Sequence, residues 1–541
     1  MKNVCKYLLI VAVVMGAAAC QQRELNTRVS NTTGWNYFDR KTTNFQAREG
    51  VGNVNPPGMI PIQGGVMTLG PKDEFLTTTL NNQSRQITVS SFYMDKYEVT
   101  NLNWNEYLHW MEFVFNEMAP ELVDKARPDH TVWREDMAYN DPYEDNYFEH
   151  PAFSFYPIVG VTWNQAMAYC QWRTDRVNEL ALISCGAMAL PDYDLLRPDN
   201  VTAEEDKEEW ETAHDGYEMT AVERPVEDGE DGETETVYRP SYEYIRDKFV
   251  FNTEKYLMDE SYRPELGRRP LKDSYQNDRK VTIADGIFVT GYRLPTESEW
   301  EFAAYAPVAG EDGLTIEGKV YPWSGYHPRD MSKKNLGMMQ ANFVRGRGDM
   351  MGVSGALNDR RVITNPVDEF EPNDFGLYNM AGNVNEWVMD VYRESTFQDF
   401  TEYNSYRGNI FSRPVLNENG KYSIDSLGCV AITWGREEDK RDVLDGDLAS
   451  VLETDYPLDT TGVANLIAAG KERKIDPTDI LAPKITRTCR VYKGGSWADR
   501  IFWLNPATRR YMEQDQCSSK VGFRCAMSTL GDQIPGTPVV K

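Results

Sequence analysis

The chain has 541 residues, 26% of them charged, and its 57 Lys and Arg against 84 Asp and Glu give a net charge of −27. Such a surface repels phosphate backbones and anionic headgroups, which excludes nucleic acid and an electrostatically held membrane as partners. The length suits two to four domains, or one fold carrying long insertions.

Met1, Lys2 and Lys6 precede an apolar run from Tyr7 to Met15, then Gly16-Ala17-Ala18-Ala19 and Cys20. The run is far short of the roughly 20 residues a membrane-spanning helix needs, and a basic start with small residues before a cysteine has the form of an export signal. Residues 1–19 are therefore expected to be a signal peptide. Cys20 is expected to become a lipidated N-terminus that holds the protein to the membrane. Gln21-Gln22-Arg23-Glu24 show no acidic surface-export tract, so the expected location is the periplasmic face of the outer membrane. A polar tether at 20–55, a main domain at 56–530 and a tail at 531–541 follow.

Gly64 to Gly70 reads as a strand punctuated by glycine, and Gln86 to Met94 as a second. Thr100 is a good N-cap for a helix that aligns Trp104, Tyr107, Leu108 and Met111 on one face. Thr162 and Gln165 have the form of a capping box before a second helix, with Ala166, Cys170 and Val177 on one side. Thr296 and Glu299 repeat that construction before Trp300, Ala303 and Ala304. Long irregular insertions are expected at about 185–285 and 390–490, where loops of such length in a compact domain serve partners or function. Within the first, Ala203 to Glu235 holds 15 acidic residues and only Lys207 and Arg224 as bases. It reads as a solvated, poorly packed segment, or more sharply as a docking surface or a sink for divalent cations.

Of eight cysteines, Cys5 lies in the leader and Cys20 at the anchor, leaving Cys170, Cys185, Cys429, Cys489, Cys517 and Cys525. An even count in an exported chain favours disulfides, and no CxxC spacing suggests zinc. Six cysteines allow fifteen pairings.

Six segments occur in order: Gly64 to Gly70; Met94-Asp95-Lys96-Tyr97-Glu98-Val99-Thr100-Asn101; Pro157 to Trp172; Arg293-Leu294-Pro295-Thr296-Glu297-Ser298-Glu299-Trp300-Glu301; Phe375 to Trp387 through Gly382-Asn383-Val384-Asn385-Glu386; and Gly494-Gly495-Ser496-Trp497 with Gly522-Phe523-Arg524-Cys525. Together they resemble the formylglycine-generating enzyme superfamily. The resemblance implies an irregular α+β, C-type-lectin-like fold with low secondary-structure content. Thr33-Gly34-Trp35, Thr131-Val132-Trp133-Arg134, His150-Pro151-Ala152-Phe153 and Trp172 to Glu179 narrow it to the gliding-motility and type IX secretion lipoproteins of Bacteroidetes-type bacteria. That group implies other envelope proteins, both lipoproteins and ring components, as partners.

The enzymes of the superfamily oxidise a substrate cysteine with a copper-binding cysteine pair, because soft thiolates hold Cu(I). Trp497 to Arg510 here contains no cysteine, and Asp499 and Leu504 stand where the resemblance places the thiols. His109, His130, His150, His214 and His327 do not stand at ligand spacing for iron. No copper and no catalysis are expected. The resemblance also implies calcium, held by the Asn379 and Glu386 side chains with the Gly382 and Val384 carbonyls. A second site would begin at Asn342 and the Phe343 carbonyl, with Asp349 or Asp359 as its carboxylate. It further implies a Cys170–Cys525 disulfide. Cys429 with Cys489, which flank the second insertion, and Cys185 with Cys517 are candidates whose pairing stays open.

The leading expectation is a non-enzymatic scaffold for secretion and motility machinery. The alternatives are a glycan- or peptidoglycan-binding module gripping sugar through Trp497 and Trp503, and an oxidoreductase with an unfamiliar metal set.

Overall fold

The computed structural model describes most of residues 56–307 and 319–344, then 361–392 and 488–530, with short pieces near 29–36, 412–417 and 432–434. The leader, Cys20, Cys429, Asp349, Asp359, most of the second insertion and the tail lie outside the described residues.

Two four-stranded sheets carry the fold. In the first, Met59–Ile62, Phe92–Asp95, Ala526–Ser528 and Tyr292–Arg293 lie side by side, all antiparallel. In the second the order is Arg510–Glu513, Cys489–Lys493, Asn385–Val391 and Val521–Gly522, with only the last pair parallel. A hairpin of Gly65–Leu69 and Arg85–Val89 packs its alternate residues Met67, Leu69, Ile87 and Val89 inward, as a period of two requires. The expected strand from Gln86 to Met94 is thus two: the chain breaks at Ser90-Ser91 and enters a different sheet. Ser91 Oγ accepts from Gly64 N (3.0 Å), tying the break to the hairpin's start.

The three expected helices form. Asn101–Phe115 starts at Thr100, whose Oγ1 accepts from Asn103 N (3.2 Å). Trp163–Cys185 and Glu297–Tyr305 both open on complete capping boxes, Thr162 with Gln165 and Thr296 with Glu299. Trp104 is fully buried, stacked on Tyr169 at 5.4 Å and edge-on to Phe523 at 6.0 Å, and so joins the first two helices to the C-terminal segment. Such aromatic pairs add about 0.5–1.5 kcal/mol beyond their burial.

The first insertion is built rather than irregular. Helices Lys207–Ala213, Tyr242–Lys248 and Thr253–Met258 accompany a hairpin of Met219–Pro225 with Thr234–Pro240 in seven-residue register. Leu196, Tyr244, Ile245 and Phe249 of the insertion pack with Val114 and Phe115 of the first helix in one apolar cluster. Where it is described, the acidic stretch carries these elements, with Trp210 stacked on His214 at 4.1 Å, while most of its charged side chains stay exposed as expected. No helix among the described residues is long and apolar enough to cross a membrane.

Candidate functional site

Strand Cys489–Lys493 ends at Gly494 and Gly495, both with positive φ, and a Cβ on Gly495 would lie 2.9 Å from the Leu504 side chain. That close approach lets the following turn fold over the sheet end. Asp499 closes the turn: its Oδ2 accepts from Ser496 N (2.9 Å), Ser496 Oγ (2.6 Å) and Asn385 Nδ2 (3.1 Å). Arg510 forks onto the same carboxylate, Nη1 to Oδ1 at 2.8 Å and Nη2 to Oδ2 at 2.7 Å. Burial pushes the Asp499 carboxyl up, but Arg510 and the other donors outweigh it and hold it below the usual range. Five positions on, Leu504 is fully buried on a short 3₁₀ turn, Ile501–Leu504, in a cluster with Tyr321, Met339, Phe343 and Ala381. Of the two positions at which the resemblance led thiols to be expected, one is thus a carboxylate saturated with donors, and the other an apolar plug. Neither presents a soft ligand, a nucleophile or a free base.

The aromatics of the sugar-binding alternative are committed elsewhere. Trp497 donates from Nε1 to Ser519 O (3.1 Å) and lies parallel to Trp133 at 6.0 Å, while Trp503 carries the Arg510 guanidinium 4.5 Å over its ring.

The turn before strand Asn385–Val391 is set by Asn379, Gly382 and Asn383 at positive φ, and a Cβ on Gly382 would stand 2.4 Å from Asn342 O. Asn379, Gly382 and Val384 share this turn and Glu386 follows in the strand, but its carboxylate is already engaged. Its Oε1 accepts from Arg524 Nη2 (2.6 Å), and its Oε2 from Arg524 Nε (2.7 Å) and Trp300 Nε1 (2.8 Å). A calcium ion on those oxygens would sit against the guanidinium with like charge. Asn379 aims its Nδ2 at Glu98 Oε2 (2.9 Å) and Val367 O (3.1 Å). In this arrangement the Glu386 carboxylate does not fit calcium and forms an ion-pair hub with Arg524 and Trp300. At the second expected site, Asn342 donates to Ile363 O (2.8 Å) and Asn365 Oδ1 (3.1 Å), tying its own segment to the stretch at 363–365. Phe343, buried beside Leu504, belongs to the apolar cluster. Among the described residues no three His, Cys, Asp or Glu gather as a metal set.

Sequence reasoning missed Glu98, although it lies in the quoted Met94–Asn101 motif. Its Oε2 accepts from Asn379 and Asn383 (2.9 Å each), and its Oε1 is buried without a partner. Burial and the neighbouring Glu386 push its pKa up to about 8, so it is a neutral acid at neutral pH. A second hub lies across the sheet. Lys493 reaches Glu301 (2.8 Å) and Glu297 (3.3 Å), and Arg509 pairs with Glu297 at 2.6 Å.

Cys170 and Cys525 are both buried with sulfurs 3.6 Å apart, in contact but not bonded, so the expected disulfide is here a thiol pair. Burial and the neighbouring Cys170 raise the Cys525 thiol well above its ordinary value. Cys489 donates to Glu513 (3.2 Å), Cys185 to Leu182 O (3.2 Å) and Cys517 to Asp129 (3.7 Å). Cys185 and Cys517 thus stand as separate free thiols rather than a bridge. The Cys429–Cys489 candidate falls outside the described residues.

Residues 45–529 match the sulfatase-modifying factor enzyme 1-like domain. The chain is 22% identical over 390 residues to the mouse formylglycine-generating enzyme, covering 69% of this chain and 68% of that protein. It is 40% identical over 105 residues to the bovine inactive C-alpha-formylglycine-generating enzyme 2, over 19% of this chain and 28% of that one. It is also 34% identical over 152 residues to the chaperone protein LppX of Paenibacillus barcinonensis, over 27% and 49% respectively.

Proposed function

The chain belongs to the sulfatase-modifying factor enzyme 1-like domain family, and from that premise we propose that it is a non-catalytic member: an outer-membrane lipoprotein that scaffolds or stabilises secretion and gliding-motility machinery. The observation that carries the first half is the fate of the two thiol positions. Leu504 is sealed in an apolar cluster and Asp499 is neutralised by Arg510, so a peptide thiol brought to this turn meets no thiolate and no available base. The family includes both active and inactive relatives by name, and one similar protein is named a chaperone. Those names are compatible with a helper that no longer performs the chemistry.

The scaffold half is supported by the insertion at 185–285. A segment that forms its own hairpin and packs Leu196, Tyr244, Ile245 and Phe249 against Phe115 of the first helix offers a defined surface for a partner. Anchoring through Cys20, on the periplasmic face, belongs to the same proposal and rests on the sequence of the leader.

The test is affinity purification of the lipidated chain from its own outer membrane, with mass spectrometry of accompanying proteins and metal analysis of the same sample. Recovery of envelope lipoproteins and ring components without copper or iron is expected. Isolation of the chain alone with stoichiometric copper or iron would overturn the reading.

A further inference from the structure

The first insertion lines a cavity of about 770 Å³, within the size range of pockets that hold small ligands. One side is the stretch at 188–195, tied to residues 265–267 by Ala189 N to Glu265 O (2.9 Å) and Gly267 N to Ala187 O (3.1 Å). Gly267 permits that approach, because a Cβ there would stand 2.3 Å from Gly186 O. Helices Tyr242–Lys248 and Thr253–Met258 contribute further lining. Met188, Leu195 and Phe249 give the cavity an apolar portion.

Several polar groups in the lining have hydrogen-bonding capacity left over. Lys255 is only 9% exposed; its ammonium gives one hydrogen to Asp247 (3.1 Å) and lies 4.7 Å from the centre of the Tyr262 ring, so two N–H remain. Asp247 also accepts from Arg246 Nε (3.1 Å), which sets two cations against one carboxylate. Lys280 adds a further ammonium 6.0 Å from the Tyr262 ring, held by the Tyr256 and Asp259 carbonyls. The Tyr262 hydroxyl, kept protonated by burial, bonds nothing among the described residues. His214 Nδ1 lies 2.8 Å from Trp210 O; a carbonyl only accepts, so Nδ1 carries the proton and Nε2 of the neutral ring is left as an acceptor. Lys248 and Arg263 have no carboxylate, and Asp192 and Glu265 no cation, within ion-pair distance among the described residues. Opposite charges that line one cavity without meeting can be bridged by a ligand that bears both signs.

We propose that this cavity binds a short peptide with both ends free, its carboxylate on Lys255, Tyr262 and Arg263 and its ammonium toward Asp192 and Glu265. The carboxylate takes up the spare donors of a buried lysine and an unbonded hydroxyl, and such charge-assisted bonds are the strong ones. A backbone N–H of the peptide reaches the Nε2 acceptor of His214, and its apolar side chains rest on Met188, Leu195 and Phe249. A divalent cation does not suit the cavity, because no three His, Cys, Asp or Glu gather there among the described residues.

The test incubates the intact purified chain with an equimolar pool of tetrapeptides built from Ala, Leu, Ser and Lys. Parallel samples receive the same pool N-acetylated or C-amidated, and peptides retained with the chain on ultrafiltration are counted by mass spectrometry. The free-ended pool is expected to be retained saturably, and each blocked pool at least about tenfold less, as loss of a bond to a charged group requires. Y262F and R263Q should each lower retention of the free-ended pool by a similar factor. Because the Tyr262 hydroxyl bonds nothing among the described residues, Y262F leaves the fold intact and reads the ligand alone. No retention, a blocked pool retained as well as the free one, or retention that either variant leaves unchanged would overturn the proposal. None of these readouts involves an accompanying envelope protein, so the inference stands or falls apart from the proposed function.

Discussion

Glu98 and Glu297 are both buried carboxylates, yet their neighbours drive them in opposite directions. Glu98 faces Glu386 and two amides, with Arg524 already committed to Glu386, so burial wins and its pKa rises from 4.5 to about 8. Burial also pushes Glu297 upward, but Arg509 and Lys493 overcome it and hold the group at about 2. Between pH of about 4.5 and 8 the folded chain keeps a proton on Glu98 that the unfolded chain has lost. Glu98 therefore makes stability fall as pH rises through that window. Glu297 contributes stability above its unfolded value that is lost as pH falls toward about 2. E98Q, neutral at every pH, should flatten the alkaline side of the stability profile and leave the acid side unchanged, as read from urea midpoints between about pH 5 and 9. An unaltered alkaline slope would show that Glu98 is already ionised at neutral pH. Arg524→Met should be far more damaging, about 3–5 kcal/mol, because it leaves Glu386 buried without its cation.

At the level of elements, what could be read from the sequence was what local chemistry determines. Thr162 with Gln165 and Thr296 with Glu299 announced two helix starts because a capping box is a contact between residues three apart, and both boxes are present. T162A and T296A should each cost about 1 kcal/mol in the denaturant midpoint with no change in slope. A change in slope would mean that the cap governs more than its own helix. The strand break at Ser90-Ser91 was hidden because its cause, a bond to Gly64 at a separation of 27 residues, is not local. The built insertion was hidden for the same reason, since its core draws on Phe115, Leu196 and Phe249 from three separate stretches. The candidate site divides in the same way. The lack of cysteine from Trp497 to Arg510 is visible in a string of letters, whereas the capture of Glu386 by Arg524, 138 residues away, is visible only in space.

For the whole molecule, the pair that spans the fold is Cys170 and Cys525, 355 residues apart, joining the long helix to the residue that leads into the strand between Phe92–Asp95 and Tyr292–Arg293. Their sulfurs stand 3.6 Å apart, and side-chain rotation to the roughly 2.05 Å of a bond is a small change. Both thiols are buried and Cys525 resists ionisation, so oxidation by exchange in the folded state is slow. The bond is expected to form as the chain folds under oxidising conditions. Protein refolded with oxidised glutathione should then resist alkylation at both positions until reduced. It should be more stable than the C170A/C525A chain by about 2–5 kcal/mol, since the closed loop removes much of the unfolded chain's freedom. Calcium should add nothing comparable: with Glu386 occupied by Arg524, chelator treatment is expected to move the midpoint of the same oxidised protein by less than about 0.5 kcal/mol, the scale of a surface effect. A larger loss on chelation, restored by calcium alone, would mean that an ion displaces the guanidinium and that the turn regains the role its Asn and Gly residues suggested.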